Sequence, residues 1–175
     1  MGQITEFPER GRKTISPPAP IRNEHDITQF DCGKPLLTDW LKNRAMKSEG
    51  KTARTYVVCE GNVVVGYYSL ATGGVVRAEV PKVLSGHGTP GTVPVVILGR
   101  LAVDARHHKQ GIGSGLLQDA LRRTLEVSMT IGAAAVLVHA IDDDAKAFYT
   151  NYGFLAFPAD SRTLFLPMET LGASL

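Results

Sequence analysis

The chain of 175 residues has few of the features that mark a secreted or membrane protein. Its two cysteines, Cys32 and Cys59, exclude a disulfide framework, and no cysteine–histidine cluster has the spacing of a zinc site. No apolar run reaches the roughly 18 residues that a transmembrane helix needs, and the N-terminus has no apolar signal segment. We therefore expect a cytoplasmic protein with no membrane partner and no metal.

The contents of glycine and proline are also modest, as is the net charge. The 18 glycines and 10 prolines are too few for a collagen-like or disordered chain, and the apolar content of 43% is typical of a globular protein. The net charge is +2, but residues 1–59 hold ten Lys/Arg against seven Asp/Glu. A mildly basic region suits an anionic ligand or a nucleic acid, whereas the plainer alternative is a mixed, solvated surface.

The pattern along the chain predicts an irregular N-terminal arm (residues 1–19), one domain (20–167) and a C-terminal tail (168–175). A weak strand or an extended entry segment is expected at residues 21–30, a helix from Pro35 to about Gly50, and a long loop at residues 73–93. The order is helix, hairpin, strand, helix, strand, helix and strands, which indicates an α/β fold around one mixed sheet. The strands are expected at residues 55–59, 63–72, 93–103, 134–139, 155–157 and 162–166, and the later helices at 111–130 and 142–152.

The most informative stretch is an apolar strand followed by a basic, glycine-containing turn and an amphipathic helix. Gly111 and Gly113 let the backbone approach a ligand closely. The first NH groups of the helix have no intrahelical acceptor, so with the helix dipole they suit an anion such as a pyrophosphate. A P-loop is excluded because no Gly-Lys-Ser/Thr follows, and a dinucleotide fingerprint is disfavoured because only one more helix follows this strand.

A second motif, Ala-Lys-Ala-Phe-Tyr-Thr-Asn-Tyr-Gly-Phe at residues 145–154, lies one strand downstream. With the turn His-Lys-Gln-Gly-Ile-Gly at residues 108–113, it resembles the GNAT superfamily of acetyl-CoA-dependent N-acetyltransferases. The resemblance covers about residues 20–167 and implies a central, mostly antiparallel sheet with a splayed parallel pair, flanked by helices. Two departures are His108, where the family usually has Arg or Gln, and Asp142, where an Asn is often seen.

The resemblance implies a role for each part of these motifs. Tyr149 would lie near the thioester sulfur, either as a general acid for the departing thiolate or only to orient the thioester; the alternative is a buried core phenol. The residues implied to bind acetyl-CoA are Leu101, Ala102, Val103, His108, Lys109, Gln110, Gly111, Ile112, Gly113, Ser114 and Phe148.

Further strings at residues 30–41, 53–59, 66–73, 100–104 and 162–166 resemble one branch of the superfamily, the TacT-like toxins of bacterial toxin–antitoxin pairs. This resemblance implies acetylation of the free α-amine of aminoacyl-tRNA, which blocks translation. It also implies a ribbon-helix-helix antitoxin as partner and a homodimer. Two alternatives stay open: a GNAT enzyme that acts on a protein N-terminus or a small amine, and a CoA-binding module without catalysis.

The acidity of the acceptor amine gives an independent argument. An α-amine has a pKa of about 7.7–8.0 and a lysine about 10.4, so near pH 7.4 roughly a third of the α-amine is neutral but only about one part in a thousand of the lysine. A lysine acetylase therefore needs a strong general base more than an α-amine acetylase does. We find no Glu or His at the ends of the central strands beside Tyr149, which favours an α-amine.

Basic residues near the first helix and before the turn are candidates for tRNA contacts. Phosphate binding needs Arg and Lys on one face without a fixed order. Arg100 interrupts an apolar run, which a plain buried strand would avoid; its alternative role is an ion pair with Asp104. The other predicted tRNA contacts, with a solvated helix face as their alternative, are Lys42, Arg44, Lys47 and Arg54.

Overall fold

The computed structural model describes residues 14–174, in which helices lie on both faces of a seven-stranded sheet. The strands are β1 (Ala19–Pro20), β2 (Arg54–Glu60), β3 (Val63–Val76), β4 (Thr92–Val103), β5 (Ala135–His139), β6 (Leu155–Ala156) and β7 (Thr163–Pro167). The helices are α1 (Pro35–Asn43), α2 (Ala45–Ser48), α3 (Ile112–Ser128), α4 (Asp143–Asn151) and α5 (Met168–Ser174). Single 3₁₀ turns occupy Arg77–Glu79, Lys82–Leu84 and Ala105–His107. Residues 1–13 of the predicted arm lie outside the described residues.

The sheet order is β1-β2-β3-β4-β5-β7-β6, and all neighbours are antiparallel except β4 and β5. These two strands pair only from Val95 with Ala135 to Ile97 with Leu137, and both then continue apart. The prediction of a mixed α/β fold with a splayed parallel pair is confirmed. Gly99 of β4 forms a β-bulge: Leu98 pairs with Leu70 and Arg100 pairs with Ser69, so Gly99 is an extra residue without a partner on β3.

Apolar side chains pack on both faces of the sheet. On one face, Leu116 and Leu117 of α3 are almost completely buried against the sheet together with residues of α4. On the other face, Leu41 of α1 packs in a second cluster with Phe30 and Tyr67. The Tyr67 hydroxyl donates a hydrogen bond of 2.6 Å to the backbone carbonyl of Leu37, which fixes α1 against the sheet.

Four predicted elements differ in extent from the structure. Strand β3 continues through Gly73 to Val76, so the connecting loop is shorter than predicted. A Cβ at Gly73 would lie 2.3 Å from Cδ1 of Ile97, so glycine here makes room for the neighbouring strand. The first helix breaks at Arg44, whose φ of −122° is not helical, and residues 21–30 form turns in place of a strand.

The described part of the arm is fixed against the sheet, although it was predicted to be irregular. Residues Ala19–Pro20 pair with β2, and the Ser16 hydroxyl accepts a hydrogen bond of 2.9 Å from the amide of Cys59. At the other end the predicted tail forms α5, where Leu171 is buried in the core. In residues 14–174, no helix combines the length and apolarity needed to cross a membrane.

Candidate functional site

A groove runs between β4, the turn after it, and the start of α4; we call it the β4–α4 groove. Its volume of about 360 Å³ lies within the usual range for small-molecule sites. Ten of the predicted ligand-binding residues and Tyr149 line it, whereas Gln110 is exposed and does not. The lining comprises Cys32, Lys34, Leu37, Leu101, Ala102, Val103, His107, His108, Lys109, Gly111, Ile112, Gly113, Ser114, Ile141, Asp142, Asp144, Ala145, Phe148 and Tyr149.

The glycine turn is held in a backbone conformation suited to anions. Gly111, the N-cap of α3, has a φ of +79°, a value that L side chains rarely adopt, and Lys109 has a φ of +60°. No side chain caps α3. The first amides of this helix therefore have no intrahelical partner, and the positive end of the helix dipole opens on the groove.

His108 ties this turn to the end of β4. Its Nε2 lies 2.8 Å from the carbonyl oxygen of Val103. Because a carbonyl can only accept, Nε2 is the donor. This hydrogen bond helps to hold the turn in its conformation. His108, which stands where the family usually has Arg or Gln, therefore has a structural role here.

The end of β4 has a free edge that lines the groove. Pairing with β5 stops at Ile97, so the following residues of β4 have no ladder partner on that side. Leu101, Ala102 and Val103 lie along the groove. A strand edge with unpaired NH and carbonyl groups can hydrogen-bond an extended, amide-containing ligand in the manner of an added strand.

Tyr149 is the most buried polar side chain of the groove, with 5% of its surface exposed. Its ring packs against Phe148 at 5.2 Å and Phe154 at 5.4 Å between centroids. No described residue hydrogen-bonds to its hydroxyl. Burial raises the pKa of Tyr149, so the hydroxyl keeps its proton at neutral pH and can donate it to a ligand atom.

An ion pair between Lys34 and Asp142 links α1 to α4 beside this groove. Lys34 precedes α1, and Asp142 is the N-cap of α4, where it accepts a hydrogen bond of 2.8 Å from the amide of Ala145. The hydrogen bond from Lys34 lowers the pKa of Asp142, and the same bond raises the pKa of Lys34. Sequence reasoning missed Lys34, because its partner lies 108 positions away.

A second groove, which we call the α1–β5 groove, lies between α1, the end of β5 and the middle of the second half of β4. Leu37 and Ile141 line both grooves, so the two adjoin. Its remaining lining is Leu36, Asp39, Trp40, Asn43, Arg44, Gly99, Arg100, His139 and Ala140. A ligand in the β4–α4 groove and another in the α1–β5 groove would therefore approach each other between β4 and β5.

Arg100 lies in the α1–β5 groove, and its guanidinium carbon is 4.2 Å from the centre of the Trp40 ring. Burial lowers the pKa of Arg100, although the group stays charged. The alternative ion pair with Asp104 is wrong, because Asp104 receives hydrogen bonds of 2.9 and 3.0 Å from Arg106. A cation on an aromatic face retains donors for an anionic or carbonyl ligand.

The other predicted tRNA contacts are only partly brought together. Arg44 lines the α1–β5 groove with Arg100. Lys42 and Lys47 are exposed on α1 and α2 and do not line it. Arg54 is exposed at the start of β2, and its guanidinium lies 3.4 Å from a carboxylate oxygen of Glu49. These three side chains could widen a basic surface around the groove but do not form its wall.

His139 is a functional candidate that the sequence analysis missed. It is the last residue of β5 and lines the α1–β5 groove, so a His does stand at the end of a central strand, although it does not line the groove that holds Tyr149. Its place directly after an apolar run was the available signal. In residues 14–174, no three His, Cys, Asp or Glu side chains are grouped as a metal site.

Comparison with known proteins agrees with this geometry. The acetyltransferase (GNAT) family matches residues 20–154. A tRNA-acetylating toxin of Mycobacterium tuberculosis is 40% identical over 155 residues, which are 88% of this chain and 93% of the relative.

Two solved structures resemble the whole fold. AtaT complexed with acetyl-methionyl-tRNAfMet is 26% identical with a TM-score of 0.83, over 91% of this chain and 98% of the other. A mutant of AtaT bound to the C-terminus of the antitoxin AtaR is also 26% identical, with a TM-score of 0.76, over 91% of this chain and 96% of the other.

Proposed function

Since this chain belongs to the acetyltransferase (GNAT) family, and is thus an N-acetyltransferase with acetyl-CoA as donor, we propose that its acceptor is the free α-amine of aminoacyl-tRNA. The product could no longer serve in translation, which would make the protein a toxin. The single observation that carries this proposal is the 40% identity, over 93% of its length, with a tRNA-acetylating toxin. The complex of AtaT with acetyl-methionyl-tRNA supports the same acceptor.

The β4–α4 groove fits acetyl-CoA. A Cβ at Gly113 would lie 3.9 Å from the Phe148 ring, so any side chain here would enter the space beside that ring. When bound, acetyl-CoA would supply an activated acetyl thioester. The amides from Gly111 to Ser114 would hold its pyrophosphate, while His108 and Lys109 flank it. Leu101, Ala102 and Val103 would hydrogen-bond its amides by their backbone.

Tyr149 is the residue to which we assign the proton for the leaving sulfur. Tyr149 lines the groove, and its hydroxyl keeps its proton because burial raises its pKa, and it has no competing hydrogen-bond partner among the described residues. A phenol so placed can protonate a thiolate as it leaves. Phe148 packs edge-on against the tyrosine ring and helps to hold it in place.

The α1–β5 groove is the proposed place of the tRNA acceptor end. Arg100 and Arg44 would contact phosphates there, and Lys42, Lys47 and Arg54 would extend the contact along the acceptor stem. Because phosphate contacts carry no sequence information, these residues explain affinity for tRNA but not the choice of amino acid.

We also infer a protein partner and a place of action. The AtaT mutant bound to the C-terminus of the antitoxin AtaR supports an antitoxin for this chain. The resemblance to TacT-like toxins further implies that the antitoxin is a ribbon-helix-helix protein, that the toxin is a homodimer, and that it acts in the cytoplasm. Sedimentation of the purified chain, alone and co-expressed with a candidate ribbon-helix-helix antitoxin, tests both assemblies.

The test of the proposed function is incubation of the protein with acetyl-CoA and total charged tRNA, followed by mass analysis of the aminoacyl adenosine. We expect one or more aminoacyl adenosines to gain an acetyl group. Transfer only to protein N-termini or small amines in parallel reactions would contradict the proposal in favour of another acetyltransferase. Binding of acetyl-CoA without transfer to any amine would leave a CoA-binding module.

A further inference from the structure

His139 stands where the two central strands separate. It lies two residues beyond Leu137, which is the last residue of β5 that pairs with β4. The residue at the same level of β4 is Gly99, the extra residue of that strand. Side chains alternate between the faces of a strand, so His139 shares the face of Leu137, away from Val138 and the helix α3 side. This is the face that carries α1 and the α1–β5 groove.

A relay of hydrogen bonds fixes the His139 ring. Nδ1 lies 3.0 Å from the hydroxyl of Thr163, its register partner on β7. That hydroxyl in turn donates a bond of 2.6 Å to a carboxylate oxygen of Asp160. The hydrogen bond from Thr163 lowers the pKa of Asp160, so this residue stays an acceptor-only carboxylate near neutral pH. Thr163 is itself buried, with 5% of its surface exposed.

The relay determines which nitrogen of the ring carries the proton. A threonine hydroxyl has one hydrogen, and here it points to Asp160. Thr163 can therefore only accept from His139, so Nδ1 carries the proton. In the neutral ring, Nε2 then has a free lone pair. No described residue forms a hydrogen bond with Nε2.

We propose that His139 is a catalytic residue, with Nε2 taking the proton that the acceptor amine loses. This rests on the proposed function and names the base that the sequence analysis did not find. In the transfer, the nitrogen–carbon bond forms, the carbon–sulfur bond breaks, and the sulfur receives a proton from Tyr149. The proton released from nitrogen passes to His139, and both residues return to their initial states by exchange with solvent. Thr163 and Asp160 are positioning residues.

The charged groups around His139 leave this path open. Those that share its two adjoining grooves are Asp39, Arg44 and Arg100 on one side, and Glu79 and Asp160 on the other. Only Asp160 is connected to the ring, through Thr163 and on the Nδ1 side. Asp39 of α1 is exposed and forms no hydrogen bond with the ring, so it does not compete for Nε2.

The decisive variant is His139→Asn. The asparagine NH₂ group replaces Nδ1 as donor to Thr163, whereas nothing replaces Nε2. With acetyl-CoA and an aminoacylated tRNA that the wild type acetylates, we expect kcat to fall about 10²-fold, at the low end for a general base because an α-amine is already partly neutral. The affinity for acetyl-CoA and the melting temperature should not change. His87→Asn, in an exposed loop, is the matched control and should match the wild type.

Chemical rescue separates catalysis from structure. Added imidazole should restore activity to His139→Ala. Thr163→Val should lose about tenfold in kcat, because the ring is no longer held.

Two outcomes would overturn this inference. Equal rates of the wild type and His139→Asn would show that Nε2 takes no part. A reduced rate without rescue of His139→Ala by added imidazole would show that the ring only joins β5 to β7. In both cases the wild type still acetylates tRNA, so the proposed function stands. If the wild type acetylates no tRNA, the proposed function itself is wrong.

Discussion

The two grooves of this protein differ in how the chain builds them. The β4–α4 groove takes most of its wall from residues 101–114, a short stretch of strand, turn and helix, and offers a ligand mainly backbone groups. The α1–β5 groove brings together Trp40, Arg100 and His139 from three separate elements, and offers side chains. Ligand binding in the β4–α4 groove should therefore tolerate changes of side chain but not of backbone conformation. Ligand binding in the α1–β5 groove should instead be sensitive to changes of side chain.

Tyr149 is the exception in the backbone-built groove, so its removal should have the largest effect. Tyr149→Phe keeps the ring contacts with Phe148 and Phe154 but removes the hydroxyl. If the hydroxyl protonates the leaving thiolate, kcat should fall about 10² to 10⁴-fold while the affinity for acetyl-CoA persists. Single-turnover kinetics with charged tRNA and calorimetry with acetyl-CoA measure the two quantities.

The same variant can be tested in cells. Expression of the wild type without a partner should arrest growth, whereas Tyr149→Phe at equal abundance should be tolerated. Acetylation by Tyr149→Phe at the wild-type rate would return the residue to the role of a core phenol. If Tyr149→Phe lowers the melting temperature as well as the rate, the cause would be lost packing.

Gly111 tests whether the groove depends on backbone conformation. Gly111→Asp forces an L residue into a left-handed conformation, which costs about 1–2 kcal/mol, and adds a negative charge beside the pyrophosphate site. We expect the dissociation constant of acetyl-CoA to rise at least about tenfold, as measured by calorimetry. Gly115→Ala is the control: it lies on the exposed side of α3, has open space around its Cβ position, and should leave the affinity unchanged. An unchanged affinity of folded Gly111→Asp would contradict the assignment.

The contrast between the grooves also explains how much could be read from the sequence. The β4–α4 groove was predictable, because an apolar run, a glycine turn and a 3.6-residue periodicity are local patterns. They located α3 and α4 within about two residues and placed Tyr149 on the second helix. The splayed strand pair was implied by the family resemblance and did not follow from periodicity.

What could not be predicted depends on tertiary packing. The stacking of Arg100 on Trp40 joins residues 60 positions apart, so no local pattern announces it. The continuation of β3 through Gly73 has the same origin, because a strand with glycine is disfavoured unless a neighbour such as Ile97 needs the space. His139 was overlooked because it ends a run of apolar residues that otherwise predicts only a buried strand.

Arg100 tests the side-chain-built groove. Arg100→Gln removes the cation but keeps a polar side chain over Trp40. We expect the KM for charged tRNA to rise about fivefold to tenfold and the slope of log affinity against log salt to fall by about one, since one phosphate contact is lost. Acetyl-CoA affinity should stay the same. Lys51→Gln, an exposed change outside the groove, is the control, and a normal salt slope for Arg100→Gln would assign the residue to packing alone.

Replacement of Lys34 should have the smallest effect on stability and ligand affinity of the changes discussed, and it tests whether the β4–α4 groove needs this side chain. Its ion pair with Asp142 joins the elements that bound the two grooves, yet both side chains are more than a third exposed, at 40% and 34%. Solvent-exposed ion pairs of this kind contribute about 0–1 kcal/mol. Lys34→Gln should therefore change the free energy of unfolding by less than about 1 kcal/mol, as measured by urea denaturation.

The pH dependence of that small contribution follows from the direction of the two pKa shifts. The lowered pKa of Asp142 means that its contribution is present above the ordinary carboxyl pKa and is lost only as the pH falls below it. The raised pKa of Lys34 means that its contribution is lost only as the pH rises above the ordinary amine value. The difference in stability between the wild type and Lys34→Gln should therefore be flat from about pH 5 to 9.

If the β4–α4 groove binds its ligand mainly through backbone groups, Lys34→Gln should also change the dissociation constant of acetyl-CoA by less than about threefold. Lys34 lines this groove, so the alternative is that it leaves Asp142 and contacts a phosphate of the bound ligand. That contact would be charge-assisted, and its loss would cost about 1.5–3 kcal/mol, or more than tenfold in affinity. Calorimetry at low and high salt distinguishes the two, because only the phosphate contact makes the difference between the proteins larger at low salt. Lys42→Gln, which changes an exposed lysine in the last turn of α1, is the matched control and should leave acetyl-CoA binding unaffected.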